Sequence, residues 1–335
     1  MKKTLILLLL IALLALTYLF VNKQSSDNTS ITIEDRNFVV ENPDDIQIIT
    51  IKSKAYPLMH LNRENNYWVL NQKYKADPIV IKNMLAVLTK MRIKYIPPRA
   101  QNEMIFESVA RLGIEIKTYN KEGKILSDFI MATNTNDESG TYILKRGAQQ
   151  AYVMSMPIVE GGLRNYFNQT QVDLRDKTIF SFDAKNIKSV SVNYLKDRKN
   201  SFSLETDNSN YKITAIGQAD KKSKEANSNL AYAYFQNFNK LMAEHINQAN
   251  PELYHLEGLL PFAEIIITTS NNKSIQLDLY PELDIFDKTV NTRSVDDLAQ
   301  IESYFVKTSD GQDYLVQHRL LSKCLKTLAY FESSL

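Results

Sequence analysis

The chain has 335 residues, with 40 Lys+Arg against 38 Asp+Glu, 44% hydrophobic residues, nine glycines, nine prolines and one cysteine. That length allows one large domain or two ordinary ones. The composition excludes a disordered chain, a collagen-like chain and a disulfide-stapled mini-protein.

Lys2 and Lys3 precede Thr4–Val21, an uncharged run of 18 residues. As a helix it would span roughly 27 Å, close to a hydrocarbon core. It predicts an uncleaved signal anchor over residues 1–21. Cleavage after Ala15-Leu16-Thr17 is the alternative, with Tyr18 a poor follower. The positive flank stays in the cytoplasm, so the bulk of the chain is expected to be periplasmic or extracytoplasmic, anchored in the inner membrane. Setting Lys2 and Lys3 aside leaves 38 basic residues against 38 acidic ones. A neutral exported part has no counterion-release term with which to hold nucleic acid. Asn22–Ser30 is polar and aperiodic, and residues 22–42 read as a tether with a lead-in strand.

After the tether the sequence repeats itself. Ile46 within NPDDIQIITI and Ile187 within DAKNIKSVSV each begin an alternating strand. Leu61, Tyr67, Trp68 and Leu70 correspond to Leu204, Tyr211 and Ile213. Asp77-Pro78 starts a helix with Ile81, Leu85, Leu88 and Met91 on one face. Ala231, Phe235, Phe238 and Leu241 form the matching stripe, and His245 would continue that helix by one turn. Ile114–Ile130 aligns with Ala263–Leu279 at an offset of 149. Tyr142, Lys145, Tyr152 and Leu163 align with Tyr304, Lys307, Tyr314 and Leu325 at an offset of 162, so the second copy carries 13 extra residues between.

These echoes predict an α+β architecture: two tandem, similar domains of mostly antiparallel sheet with covering helices, after one N-terminal transmembrane helix. The first repeat covers 43–170, a linker 171–183, and the second repeat 184–335, with an insertion at about 281–303.

Several short motifs occur in a fixed order: Tyr67-Trp68-Val69-Leu70, Ala76-Asp77 before a helix, Leu112-Gly113-Ile114, Gly140-Thr141-Tyr142 and Leu174–Lys177. With the anchor, they resemble the bacterial family catalogued as domain of unknown function 4340, frequent in Bacteroidota, over roughly residues 46–330. The resemblance implies an extracytoplasmic α+β repeat protein and brings no catalytic residues with it. A looser similarity to auxiliary proteins of the gliding-motility ABC transporter implies a place beside a membrane-protein complex.

The chain contains no phosphate loop, dinucleotide-binding glycine fingerprint, Gly-x-Ser-x-Gly elbow or His-Glu-x-x-His helix. No cofactor, metal site or catalytic residue is expected. His245 reads as a partly buried structural histidine, and Cys324 as a small buried residue. Gly161-Gly162 reads as a turn that the fold does not require, since Ser322-Lys323 replaces it in the second copy. Tyr232 and Tyr234 on the aromatic helix 230–242, and the acidic Glu282, Asp284 and Asp287 of the insertion, are the candidate partner contacts. The expected role is a membrane-anchored scaffold or interaction module. A periplasmic ligand-binding protein is the first alternative, its small-molecule ligand unspecified, and a hydrolase the second.

Overall fold

The computed structural model describes residues 38–157, 160–207, 210–217, 222–247, 256, 259–282, 300–309 and 311–332. The apolar run Thr4–Val21 lies outside them, and among the described residues no helix is long and apolar enough to cross a membrane. The chain divides into two units after Asp176.

The first unit begins with an extended segment, not a strand. Phe38 and Val40 point into the core there, and the Val40 amide donates to the Leu88 carbonyl at 3.0 Å. A 3-10 turn, Pro43–Asp45, is capped by the Asn42 side chain. Strands β1 (Ile48–Ser53), β2 (Met59–Glu64), β3 (Tyr67–Leu70) and β4 (Tyr74–Lys75) follow as a meander. Helix α1 (Pro78–Lys90) then crosses the sheet, leading to β5 (Arg92–Tyr95) and helix α2 (Asn102–Leu112). Strands β6 (Ile114–Tyr119), β7 (Ile125–Asn134), β8 (Thr141–Lys145) and β9 (Ala151–Ser155) complete a nine-stranded sheet in the order β4-β3-β2-β1-β6-β7-β8-β9-β5. Every pairing in it is antiparallel.

Alternation explains which face is buried. Ile49 and Ile51 of β1, Ile116 of β6, Phe129 and Met131 of β7, and Ile143 of β8 form one core with Ile81, Met84, Val87 and Leu88 of α1. Each fully buried aliphatic side chain contributes about 1.5–3 kcal/mol before ordering entropy is subtracted. The opposite face is covered by α2, whose Ile105 packs on Ala132, Tyr142, Leu144, Ala151 and Val153. Arg164 donates to the Leu112 carbonyl at 2.6 Å and to that of Ala132 at 2.8 Å, which satisfies the open end of α2.

The second unit contains β10 (Thr178–Phe180), β11 (Ile187–Tyr194), β12 (Phe202–Asp207), β13 (Asn210–Ala215) and β14 (Lys224–Glu225). Helix α3 (Ser228–Gln236), β15 (Leu241–Met242) and β16 (His245–Asn247) follow. Next come β17 (Ala263–Thr269), β18 (Ser274–Pro281), β19 (Ser303–Thr308) and β20 (Asp313–Gln317), then short helices α4 (His318–Leu321) and α5 (Leu328–Glu332). Its large sheet runs β14-β13-β12-β11-β17-β18-β19-β20-β16. This is the first sheet's order, strand for strand.

Pairing identifies equivalent residues. Ile49 lies opposite Thr118 as Val190 lies opposite Ile267. Leu61 lies opposite Leu70 as Leu204 lies opposite Ile213. Met84, Leu85 and Leu88 of α1 correspond to Tyr234 and Phe235 of α3 and to Phe238 in the turn that follows it, so an aliphatic layer is replaced by an aromatic one. Tyr234 meets Phe202 at 5.8 Å and Phe238 at 5.3 Å between ring centroids.

Two of the sequence correspondences are corrected by one residue. In β7, Tyr119 pairs with Ile125 but Thr118 with Ser127, leaving Leu126 as a bulge. In β18, Thr268 pairs with Ser274 and Ile267 with Ile275, without a bulge. Leu279 therefore matches buried Met131, not Ile130. Similarly, Ile143 opposite Tyr152 matches Val306 opposite Tyr314, because the β8–β9 hairpin is one residue longer than its counterpart. Tyr304 thus matches Thr141, Phe305 matches Tyr142, and Thr308, not Lys307, matches Lys145. A one-residue slip exchanges the two faces of a strand, so these corrections decide which side chains are core. Met131 and Ile143 are 12 residues apart where Leu279 and Val306 are 27 apart, so the second unit has 15 extra residues here, not 13. Residues 283–299 of that insertion lie outside the described residues.

The second main helix is also shorter than expected. It ends at Gln236, where Asn237 and Asn239 favour local backbone bonding over helix, and Leu241 belongs to β15, paired with β10. The segment expected as a linker is structured on both sides of the division. The Asp77 backbone amide donates to the Leu174 carbonyl at 2.9 Å, and Thr178–Phe180 forms β10.

Candidate functional site: a groove beside the main helix

Asp77 starts α1 by accepting from the Ile79 amide at 2.7 Å and the Val80 amide at 3.3 Å, with Pro78 in the first turn. The helix so placed has two adjacent stripes. One is the core stripe. The other, Ile81, Lys82, Leu85, Ala86, Thr89 and Lys90, faces a groove of about 670 Å³.

The groove is lined as well by Arg63, Tyr67 and Trp68 of the β2–β3 hairpin and by Pro43 and Asp44 of the 3-10 turn. Trp68 is 6% exposed and Tyr67 46%. The floor is therefore apolar, the form expected of a recognition cleft. Arg63 is held in place: Nη2 meets Asp44 Oδ1 at 2.9 Å, Nη1 donates to the Pro43 and Asp44 carbonyls at 3.2 Å, and the guanidinium lies 5.7 Å from the Trp68 ring centre. Lys75, also on the rim, is bound to Asp176 at 3.0 Å. Lys82 and Lys90 are exposed and make no ion pair among the described residues.

Corresponding positions line a second groove of about 660 Å³ in the second unit. Lys185 stands there for Asp44, Thr206 for Arg63, Tyr211 for Trp68 and Tyr232 for Lys82. The scaffold makes the same concavity twice and furnishes it with different chemistry.

The candidate contacts fare unequally. Tyr232 is half-buried and lines the second groove. Tyr234 is 1% exposed, and its hydroxyl donates to the Cys324 carbonyl at 2.7 Å. Burial pushes that phenol well above its ordinary pKa. Tyr234 is thus a core residue and offers nothing to a partner, because its helix turns that face to the sheet. Glu282 is half-buried at the end of β18, while Asp284 and Asp287 lie outside the described residues.

His245 is not on a helix: it lies in edge strand β16 with its side chain 62% exposed. Cys324 is buried, and burial pushes its thiol up to about 12. Gly161 and Gly162 are required, contrary to the reading from Ser322-Lys323. Gly161 has φ +103°, and a Cβ on Gly162 would collide with the Asn134 side chain. Among the described residues, no group of three or more His, Cys, Asp or Glu side chains could hold a metal ion.

Sequence reasoning missed the groove. Lys82 and Lys90 were not singled out; their spacing with Leu85 and Ala86 is the signal that could have marked a second stripe. The Arg63–Trp68 contact depends on tertiary placement.

Two antiparallel sheets of the same strand order, each with a helix-flanked groove, define a two-unit α+β protein. Residues 68–258, more than half of the chain, match the family model described as Domain of unknown function (DUF4340), and the chain belongs to that family. No curated protein matches it. The match opens at Trp68, so it takes in that residue of the groove wall and all of α1, while Asp44, Arg63 and Tyr67 precede it. It also takes in Arg175, a buried residue of the Leu174–Lys177 motif, whose guanidinium lies 3.9 Å from the Tyr74 ring centre. That motif residue is a packing element of the first unit.

Proposed function

We propose that this protein is an interaction module, held on the extracytoplasmic side of the membrane by its N-terminal apolar run and docking a membrane-protein partner through the first-unit groove. The observation that carries the reading is the groove itself: an open, apolar-floored cleft of about 670 Å³ with exposed lysines on its rim. The Lys2-Lys3 start supports the orientation, and the looser similarity to transporter auxiliary proteins supports a partner in an ABC-type complex. Neither the first groove nor the second requires chemistry on its occupant.

Photo-crosslinking in native membranes tests this. A benzophenone side chain at Tyr67 should yield a discrete adduct with one membrane protein, and one at exposed Ile125 of β7, which does not line the groove, should not. Equal adduct patterns from both positions, or none from Tyr67, would contradict the proposal.

A further inference from the structure

We infer that the first-unit groove takes an extended acidic polypeptide segment, with two carboxylates four residues apart on either side of an apolar side chain. The inference rests on the interaction-module reading above and names the chemistry of its partner.

Charge and spacing carry it. Asp44 neutralises Arg63 and Asp176 neutralises Lys75, so the uncompensated charge on the rim is at Lys82 and Lys90. These lie eight residues apart on one face of α1, a separation of about 12 Å at ~1.5 Å per residue. An extended chain advances ~3.3 Å per residue, so its residues i and i+4 are about 13 Å apart. Between the two lysines on the helix lie Leu85 and Ala86, which line the groove together with Trp68. That floor suits one apolar side chain seated between two acidic ones. A single phosphate would need donors converging on one point, and the rim lysines are spread along a line. A cationic segment would meet like charge at both ends. The second groove places Tyr232 where Lys82 stands, so it lacks the pair and is not expected to select the same sequence.

The test is a display selection of random twelve-residue peptides on the full-length chain, run beside Lys82→Glu/Lys90→Glu and Tyr232→Glu. Both lysines are exposed, and an unchanged Tm verifies that the double variant folds. Enriched peptides should carry two acidic residues four apart around an apolar one. Their affinity should fall on the order of tenfold in the lysine double variant and weaken as salt rises. Tyr232→Glu should leave it unchanged. Enrichment without acidic residues, the same peptides from the lysine variant, or no enrichment at all would overturn the inference. An acidic consensus without a Tyr67 adduct in membranes would instead overturn the membrane-partner proposal and leave the recognition chemistry standing.

Discussion

Asp77 and Asn227 occupy one position twice: each precedes the main helix of its unit, and each side chain accepts from the amides two and three residues on. Both follow an alanine whose amide reaches the equivalent strand of its own unit, Ala76 to the Trp68 carbonyl of β3 and Ala226 to the Tyr211 carbonyl of β13, each at 2.8 Å. Removing a capping side chain leaves helix amides without a partner. Asp77→Ala and Asn227→Ala should each cost about 1 kcal/mol, and Asp77→Asn a fraction of that, measured by urea unfolding. A cost near zero for both alanines would contradict the capping assignment.

Leu88 and Phe238 are equivalent core positions, both fully buried. Neither can be truncated without leaving a void in the core of its unit. Leu88→Ala should cost ~2–5 kcal/mol and Phe238→Ala ~3–5 kcal/mol. Denaturant midpoints of the two variants check this, and losses under about 1 kcal/mol would show that these positions are not packed as described.

Cys324 is 1% exposed, with its thiol pushed up to about 12 mainly by burial. A buried, protonated thiol is a poor nucleophile. The folded chain should therefore not react with a disulfide reagent at pH 8, and should release one equivalent once denatured. Rapid labelling of the native protein would contradict the placement of Cys324 beneath the Tyr234 hydroxyl.

Asp137 accepts from Thr135 Oγ1 at 2.5 Å, Ser139 Oγ at 2.7 Å and the Ser139 amide at 3.2 Å. These bonds, the Thr135 hydroxyl foremost, hold its carboxyl down at about 2, against 3.8 ordinarily. A depressed folded pKa means that the contribution is complete above the ordinary carboxylate value and is lost as pH falls through about 2. Carbon-13 NMR titration should show Asp137 still ionised at pH 3, and Thr135→Val should move its midpoint up toward 3.8. A wild-type midpoint near 4 would contradict the hydrogen-bonded loop.

Much of this fold was legible before any coordinates. Ile49, Ile51, Val190 and Val192 alternate because one face of each strand is buried, and Asp77-Pro78 announces a helix by its own chemistry. What escaped was set by geometry that periodicity cannot carry. Leu241 continues a helical spacing from Phe238 yet lies in a strand, because a short apolar stretch fits either period. Leu126 bulges from β7, and aligned letters cannot show that the face has changed. Gly162 faces Asn134 across 28 positions of chain, a contact visible only once the strands are in place. Of the site, Tyr232 was found, and Trp68 was noted as a strand residue of the repeat and a family motif, not as part of a site. The groove that Trp68 lines arises from a hairpin, a helix and a 3-10 turn meeting in space.

The measurement that bears most directly on the account is the emission of Trp68, the chain's single tryptophan. It lies in the groove wall beside Arg63, so occupancy there changes its surroundings, and excitation at the red edge of indole absorption keeps the 18 tyrosines out of the spectrum. Titrating the full-length chain with the selected acidic peptide should shift Trp68 emission saturably, with a midpoint equal to the binding constant, and Lys82→Glu/Lys90→Glu should abolish the shift. Peptide that binds while Trp68 emission stays constant would place recognition elsewhere and contradict the account.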